Sequence, residues 1–150
     1  MHNLFDLTEI QKVINRVNQL TPHTKGSWGK MHVSQMLAHC CISFELVFEN
    51  KHPRPNAISR FLIKLFAKKT LVGDKPYAKN ARTSPIFIID DMRDFEKEKV
   101  RLIDYIQKTQ IAGPAFFKNK EHYIFGALTI EQWNNLLFKH LDHHLKQFGV

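Results

Sequence analysis

Two histidines four residues apart are the residues of this chain best suited to chemistry. His140 and His144 are one helical turn apart, so their imidazoles share one face of a helix and lie close enough to bind a single metal ion. Trp133, Leu137 and Leu141 fall on the same face, which makes it the apolar face. A buried polar group without a partner costs about 1–3 kcal/mol. A shared metal ion would supply partners for both rings.

An open metal site usually uses three protein ligands and leaves one position for water or substrate. His39 meets the requirement for a third ligand, because Met36 and Ile42 flank it on the apolar face of another predicted helix. We therefore predict a three-histidine site made of His39, His140 and His144. Imidazole binds zinc, nickel and iron, and the spacing does not choose among these metals.

Three polar residues lie beside the predicted ligands. Gln35 and Ser43 are one turn on either side of His39, and either side chain is placed to touch a bound ligand. His143 lies at the edge of the polar face of the last helix, where it could support the site or carry a proton. Ordinary polarity of a helix surface explains all three residues as well.

Other reactive residues fit the site less well. Asp142 points away from the histidine face and is excluded as a ligand. Cys40 and Cys41 are interpreted as small packing residues, and adjacent cysteines rarely form an unstrained disulfide. The sequence has no paired zinc-knuckle cysteines, no nucleophile elbow, no P-loop and no dinucleotide-binding glycine motif.

The net charge of +8 is concentrated in residues 51–82, which contain nine Lys or Arg and a single acid. A basic segment on an otherwise neutral chain indicates an anionic partner or a well-solvated connection. Few aromatic residues and no known reading motif argue against nucleic acid as that partner. At the end of the segment, four side chains suit a carboxylate or phosphate: Lys79, Asn80, Arg82 and Thr83.

The composition predicts one domain over residues 1–150. A length of 150 residues and 43% hydrophobic residues suit a single compact core. No apolar run approaches the roughly 20 residues of a membrane span. Residues 1–6 lack the basic and apolar regions of a signal peptide, so we expect a cytoplasmic protein.

Apolar periodicity predicts five helices, over about residues 8–19, 33–49, 57–71, 90–113 and 129–148. Capping boxes are predicted to open the first helix at Thr8 and the last at Thr129, with Gly149 ending the last. The second helix is expected to be weakly capped, because His32 is at its start. The fourth helix is expected to begin at Asp90 or Asp91 and to end at residues 113–114. Residues 86–89 give the single strand-like signal.

The helices predict an all-α domain, most simply a four-helix bundle, because a bundle of four buries the apolar faces of four long helices. The third helix is amphipathic: Arg60, Lys64 and Lys68 oppose its apolar face. Exposure of this face would indicate a homodimer. The apolar residues are Ile58, Phe61, Leu62, Leu65 and Phe66.

Five stretches of the sequence resemble a bacterial family of unknown function within the DinB/YfiT-like superfamily of inferred metalloenzymes. They are residues 28–31 (WGKM), 35–40 (QMLAHC), 79–83 (KNART), 125–129 (FGALT) and 139–149 (KHLDHHLKQFG). The resemblance implies a four-helix bundle with a long connection between bundle helices two and three, which the basic segment with its short third helix would supply. It also implies a metal held by His39, His140 and His144. Characterised relatives are metal-dependent hydrolases, or transferases that use low-molecular-weight thiols.

Two kinds of function follow from these observations. The first is a metal-dependent hydrolase or thiol transferase acting on a small-molecule substrate, with a low-molecular-weight thiol as cosubstrate in the second case. The alternative is a non-catalytic binding module that contacts nucleic acid or another anionic partner through residues 51–82.

Overall fold

The structure is a computed structural model that describes residues 3–150; Met1 and His2, part of the N-terminal stretch considered above, lie outside them. The described chain is mostly helical, as predicted. Its elements are α1 (Leu7–Gln19), α2 (Val33–Phe48), α3 (Ala57–Val72), a 3-10 helix (Pro85–Phe87), α4 (Phe95–Lys118), β1 (Glu121–His122), β2 (Gly126–Ala127) and α5 (Ile130–Gln147).

The caps of the first and last helices differ in how well the sequence predicted them. The prediction of a capping box at Thr8 was wrong, because Asp6 caps α1 and its carboxylate accepts the backbone N–H of Glu9 at 3.0 Å. A carboxylate also interacts favourably with the positive end of the helix dipole. The capping box of α5 is confirmed: Thr129 Oγ1 accepts the N–H of Gln132, and the Gln132 side chain accepts that of Thr129, both at 3.1 Å.

The start of α2 is better capped than His32 alone would allow. The side-chain oxygen of Gln35 accepts the backbone N–H of His32 at 2.9 Å, which satisfies a donor at the start of the helix. Its amide group donates to the carbonyl of Asp91 at 3.3 Å. The expectation of a weak start was therefore wrong, because a residue inside the first turn supplies the cap.

The predicted boundaries of α4 are corrected at its start. The helix begins at Phe95, and Asp94 caps it by accepting the N–H of Lys97 at 3.1 Å. Asp90 and Asp91 precede it, outside any helix or strand. Near the predicted end, Gly113 leaves the helical region with φ 65° and ψ 173°. The chain then forms a further turn to Lys118, which explains why the element extends past the stop signal.

Residues 86–89 do not form a strand. The 3-10 helix at Pro85–Phe87 occupies half of this run, and the Phe87 carbonyl bonds a histidine side chain instead of a neighbouring strand. An isolated apolar run without a strand partner is not stable as a sheet. The two-stranded sheet lies elsewhere, with β1 antiparallel to β2 and Glu121 opposite Ala127.

The turn between β1 and β2 is organised by a buried histidine. His122 Nδ1 accepts the backbone N–H groups of Ile124 and Phe125, each at 3.1 Å. Its ring stacks on Phe125 with centroids 4.7 Å apart. Burial lowers the pKa of His122 from 6.5 to about 4, and the nearby Lys68 acts in the same direction. The neutral ring is therefore the form that fits this turn.

The helices pack so that α1 and α2 each contact both α4 and α5, while α3 packs against α5. Trp133, Phe44 and Phe117 are the largest fully buried side chains between them. Arg16 fastens α1 to α5 through Asp142 Oδ1 at 2.9 Å. Among the helices of residues 3–150, none has the length and apolar content needed to cross a membrane. The contact between α2 and α5 is the one that assembles the histidines.

Candidate metal centre

The packing of α2 against α5 brings His39, His140 and His144 together. One ring nitrogen from each lies within 4.8 Å of the others. The closest recorded approach joins His39 Nε2 to His140 Nε2 at 2.8 Å, although the two residues are 101 positions apart in the sequence. Ring centroids lie 4.6–4.8 Å apart for the three pairs. The three side chains are thus close enough to bind one metal ion.

A backbone carbonyl orients His39. Its Nδ1 lies 2.7 Å from the carbonyl oxygen of Phe87. A carbonyl oxygen only accepts, so Nδ1 of His39 carries the proton. The lone pair of the neutral ring is therefore on Nε2, which faces His140. Metal-binding histidines commonly have this second hydrogen bond, which fixes the ring and its tautomer.

His144 has the same arrangement with a side-chain amide. Its Nδ1 lies 2.7 Å from Gln147 Oε1. The orientation of that amide follows from its other end, where Gln147 Nε2 donates to the carbonyl of Trp28 at 2.6 Å. The oxygen of Gln147 must therefore accept from His144 Nδ1, which leaves the His144 lone pair on Nε2.

His140 differs because its partner is a hydroxyl. Its Nδ1 lies 2.7 Å from Ser43 Oγ, and a hydroxyl can donate or accept. If Ser43 donates, His140 carries its proton on Nε2 and donates it to His39 Nε2. If Ser43 accepts, the lone pair of His140 is on Nε2 beside that of His39. The hydroxyl thus supports either tautomer of His140.

The environment keeps the three imidazoles neutral. Burial lowers the pKa of His39 and lowers that of His140 well below its usual range. Burial also lowers the pKa of His144 to about 3, with a further contribution from the neighbouring His39. Neutral imidazole is the form that binds a metal, so the site requires no proton loss from these rings near neutral pH.

The donor set fits a divalent ion of the zinc class. Nitrogens bound to one tetrahedral zinc at about 2.0–2.1 Å are roughly 3.3 Å from each other. The recorded 2.8 Å between His39 and His140 would need to lengthen by about 0.5 Å, within the reach of small side-chain rotations. The Ser43 hydroxyl allows both lone pairs to face the ion. The residues present therefore fit the group that the sequence implied.

Aromatic rings surround the cluster. Phe87 packs beside His39 and His140, with centroid distances of 5.4 and 5.7 Å. On the other side His143 lies 5.0 Å from His144 and also contacts Trp28, at 5.7 Å. His143 is half-buried, and burial lowers its pKa. The histidines are thus bordered by apolar surface and by one further imidazole.

The residues singled out around the predicted ligands have different positions. Ser43 contacts His140 directly. Gln35 uses its amide at the start of α2. His143 packs between Trp28 and Tyr77, with centroid distances of 5.7 and 5.8 Å. Of these, Ser43 and His143 lie beside the predicted ligands, and Gln35 serves the helix cap.

The predicted anion-binding residues divide into two pairs. Lys79 Nζ lies 4.3 Å from the Trp28 ring centroid, and Asn80 follows it with a positive φ of 56°. This pair therefore lies beside the loop that supports His144. Arg82 and Thr83 are exposed further along the chain.

The residues excluded as ligands have other partners. Asp142 pairs with Arg16 and Lys146 at 2.9 and 2.7 Å. Cys40 and Cys41 are buried, and burial raises the pKa of each thiol, to about 12 for Cys41. Buried neutral thiols are inert, which agrees with a packing role.

Sequence reasoning missed three groups that orient the site. Phe87 contributes a backbone carbonyl, for which a side chain gives no signal. Trp28 contributes another. Gln147 was detectable, because it lies three residues after His144 on the same helix and a pair with that spacing is adjacent.

The loop that reaches Gln147 depends on a glycine. Gly29 has a φ of +79°, and a Cβ there would lie 2.6 Å from Gln147 Nε2. Ser27 N donates to the backbone carbonyl of Gln147 at 2.7 Å. The close approach needs both the left-handed conformation and the missing side chain of glycine. This loop therefore connects residues 27–29 to the support of His144.

A helical frame that brings three neutral imidazoles together defines the class: a mostly helical protein with a candidate three-histidine metal centre. The chain belongs to the family described as protein of unknown function (DUF1569), whose model matches residues 2–149. No curated protein and no solved structure matches the chain. The family description assigns no activity.

Proposed function

We propose that this protein is a metal-dependent enzyme whose divalent ion is held by His39, His140 and His144. The observation that carries the proposal is that, in each ring, one nitrogen is hydrogen-bonded to the protein, so that the other is left for a metal. Nδ1 of each imidazole has an oxygen partner, from Phe87, Ser43 or Gln147. Nε2 of His39 faces Nε2 of His140, and one ring nitrogen from each of the three histidines lies within 4.8 Å of the others. Oriented imidazoles with a free nitrogen are what a metal-binding site requires.

We propose further that the chain is a DinB/YfiT-like four-helix bundle. The helices of that bundle would be α1, α2, α4 and α5, with α3 in the connection between α2 and α4. The contacts of α1 and α2 with both α4 and α5 support this arrangement. The motifs in residues 35–40 and 139–149 support the superfamily assignment. The superfamily assignment also agrees with the origin of the proposed ligands, because His39 is on α2 and both His140 and His144 are on α5.

The reaction would be hydrolysis or thiol transfer on a small-molecule substrate. A bound zinc, nickel or iron ion supplies Lewis acidity and lowers the pKa of a water or thiol. The protein contributes orientation through the Nδ1 partners and limits water through the Phe87 ring. His143 has a half-buried imidazole next to His144 and can accept a proton from a substrate at its free nitrogen.

A thiol cosubstrate with a carboxylate would be held by the loop of residues 79–83. Lys79 and Asn80 lie beside Trp28 at the edge of the site, and Arg82 and Thr83 follow in the same loop. A lysine ammonium and an amide offer charge-assisted hydrogen bonds to a carboxylate. These four residues would therefore bind the anionic part of the cosubstrate rather than its reacting atom.

Metal analysis of the purified protein tests the proposal. We expect about one equivalent of zinc, nickel or iron in protein made without added metal, and its loss in His39→Ala and His144→Ala. His23→Ala, at an exposed histidine, serves as the matched control and should retain the metal. Turnover against a panel of thiol adducts and activated esters, with and without a chelator, then separates an enzyme from a binding protein.

Two results would contradict the proposal. Metal at background level that also fails to bind on titration removes the site. Tight binding with no turnover on the whole panel leaves a metal-binding protein and removes the hydrolase and transferase assignments.

A second candidate function is the binding of an anionic partner through residues 51–82. The excess of eight positive charges in this segment favours it, because the charges in the rest of the chain cancel. This function does not require the metal site, and both can exist in one protein.

A further inference from the structure

The outer face of α3 is an exposed apolar surface that the fold does not use. Ile58, Phe61, Leu65 and Phe66 are between 61% and 75% exposed, and Leu62 is 46% exposed. Their spacing places all five on one arc of the helix. Single exposed apolar residues are ordinary, whereas five large ones in contact with solvent on one helix mark an interaction site.

The inner face of α3 already holds the helix in place. Ile63 and Leu71 are partly buried against the core, and Val72 is buried. Lys139 donates to the Thr70 carbonyl at 2.9 Å, and Asn135 donates to that of Val72 at 3.2 Å. The helix therefore has two apolar faces, of which the inner one is sufficient to dock it on α5.

The charges on α3 are all positive. Arg60, Lys64 and Lys68 are four residues apart and form a row that begins opposite the outer apolar face and approaches its edge at Lys68, whose Nζ donates to the Phe125 carbonyl at 3.4 Å. Lys69 lies at the C-terminal end of that face, where a long side chain can extend its ammonium group past apolar neighbours. The helix contains no acidic residue, and Asp74 is the one acid in residues 51–82.

These charges select the partner. Two copies of the chain related by a twofold axis would bring two positively charged helices together, with no acid on α3 to compensate. A nucleic acid would match the charge but would leave the five apolar side chains in water. A surface of anionic lipid matches both, because headgroups pair with Lys and Arg while the apolar side chains enter the acyl boundary.

We propose that α3 is a membrane-surface element that binds anionic phospholipid. The helix would lie in the plane of the interface over its length of about 24 Å, with its outer face inserted. This inference is independent of the metal centre and gives the second candidate function a specific partner. It involves no transmembrane helix.

Sedimentation of the full-length protein with lipid vesicles tests the inference. We expect binding to vesicles of phosphatidylcholine with 30% phosphatidylserine, and little to pure phosphatidylcholine, at roughly 0.1 M salt, where charges near the surface remain partly unscreened. Arg60→Gln/Lys64→Gln should weaken binding about fivefold for each cation removed. Phe61→Ser/Phe66→Ser should weaken it at least tenfold.

The matched control is Val100→Ser/Ile111→Ser, at two exposed apolar residues of α4, and it should bind as the parent does. Circular dichroism checks that each variant is folded, which is expected because the altered side chains are exposed. Vesicle binding that is absent, or that survives both α3 variants, overturns the inference. A stable dimer that Phe61→Ser/Phe66→Ser converts to a monomer assigns the face to a second copy and also overturns it. Duplex DNA binding that is lost in Arg60→Gln/Lys64→Gln and kept in Phe61→Ser/Phe66→Ser has the same effect.

Discussion

The Ser43 hydroxyl is the partner that allows His140 to change tautomer. We predict that Ser43→Ala lowers metal affinity by about 10- to 100-fold, because Nδ1 of His140 loses the group that accepts its proton when Nε2 binds metal. Ser43→Thr retains a hydroxyl and should bind more tightly than the alanine variant. Competition with a chromophoric chelator measures the affinities.

The control for this prediction is Ser34→Ala, the same substitution on α2 at a buried serine outside the cluster. It should leave the affinity within about twofold, the scale of ordinary context effects on a distant site. Equal affinities of the parent and Ser43→Ala would show that Ser43 does not orient His140.

His122 predicts a loss of stability in mild acid. Because its pKa is about 4 in the folded protein and near 6.5 when unfolded, the unfolded state binds more protons between these values. The free energy of unfolding should therefore fall by roughly 3 kcal/mol for this residue as pH drops from 6.5 to 4. The lowered pKa values of His39, His140 and His144 act in the same direction.

The variant His122→Asn separates this contribution from the others. Asparagine offers an oxygen to the N–H groups of Ile124 and Phe125 and does not titrate. Urea unfolding of metal-free protein at several pH values should give a shallower slope for this variant, while His23→Asn should keep the slope of the parent. An unchanged slope in His122→Asn would show that another group governs the acid sensitivity.

Among individual residues, the sequence predicted the three histidines better than the groups that hydrogen-bond to them. Spacing on an apolar face was enough to group His140 with His144 and to propose His39, because helical geometry fixes which side chains share a face. The Nδ1 partners were harder to find, since the carbonyls of Phe87 and Trp28 belong to loops whose path depends on tertiary packing. The position of Gln35 on α2 suits both the site and the cap, and its side chain bonds the backbone of His32 and Asp91.

At the scale of elements, the loop at residues 27–29 supports α5 only because Gly29 fits against it. We predict that Gly29→Ala destabilises the protein by about 2 kcal/mol and lowers metal affinity, because the added Cβ would lie 2.6 Å from Gln147 Nε2 and the φ of +79° is unfavourable for alanine. Displacing Gln147 would release the ring of His144. Thermal unfolding and metal titration measure the two effects.

Gly126→Ala provides a matched control for backbone strain. Gly126 also has a positive φ, of +70°, but a Cβ there meets nothing within 4 Å. It should cost about 1 kcal/mol of stability and leave metal affinity unchanged. If both variants lowered affinity equally, the loop would act through general stability and not through Gln147.

The predicted ends of helices agree with the structure where a local sequence signal determines them. Thr129 and Gln132 form the predicted cap of α5, and Gly113 interrupts α4 where the stop signal placed its end. The run at residues 86–89 failed because a strand needs a partner that the local sequence cannot specify. The sequence identified one apolar face on α3 but did not decide whether that face is buried, because burial depends on how the helix packs against the rest of the chain.

At the scale of the whole molecule, a metal that joins α2 to α5 should stabilise the fold. At a free concentration 100 times the dissociation constant, the gain is about 2.7 kcal/mol, which corresponds to roughly 5–10 °C in Tm for a chain of this size. Differential scanning calorimetry with zinc, nickel and iron measures the shift. His39→Ala and His144→Ala should show no shift, whereas His23→Ala should behave as the parent.

The charge distribution has a separate effect at this scale. The excess of positive charge in residues 51–82 is carried by the connection between α2 and α4. Long-range attraction to an anionic surface would therefore orient the protein with α3 foremost, and salt would weaken that orientation.

The separation of His39 and His140 by 101 positions also sets the order of events during synthesis. Contacts that close so long a loop are costly in chain entropy and tend to form late. A nascent polypeptide that has emerged only as far as α4 contains one of the three imidazoles, so it cannot capture the ion. Metal acquisition would thus be a maturation step that follows translation of α5, and any factor delivering the ion would meet an already assembled receptor.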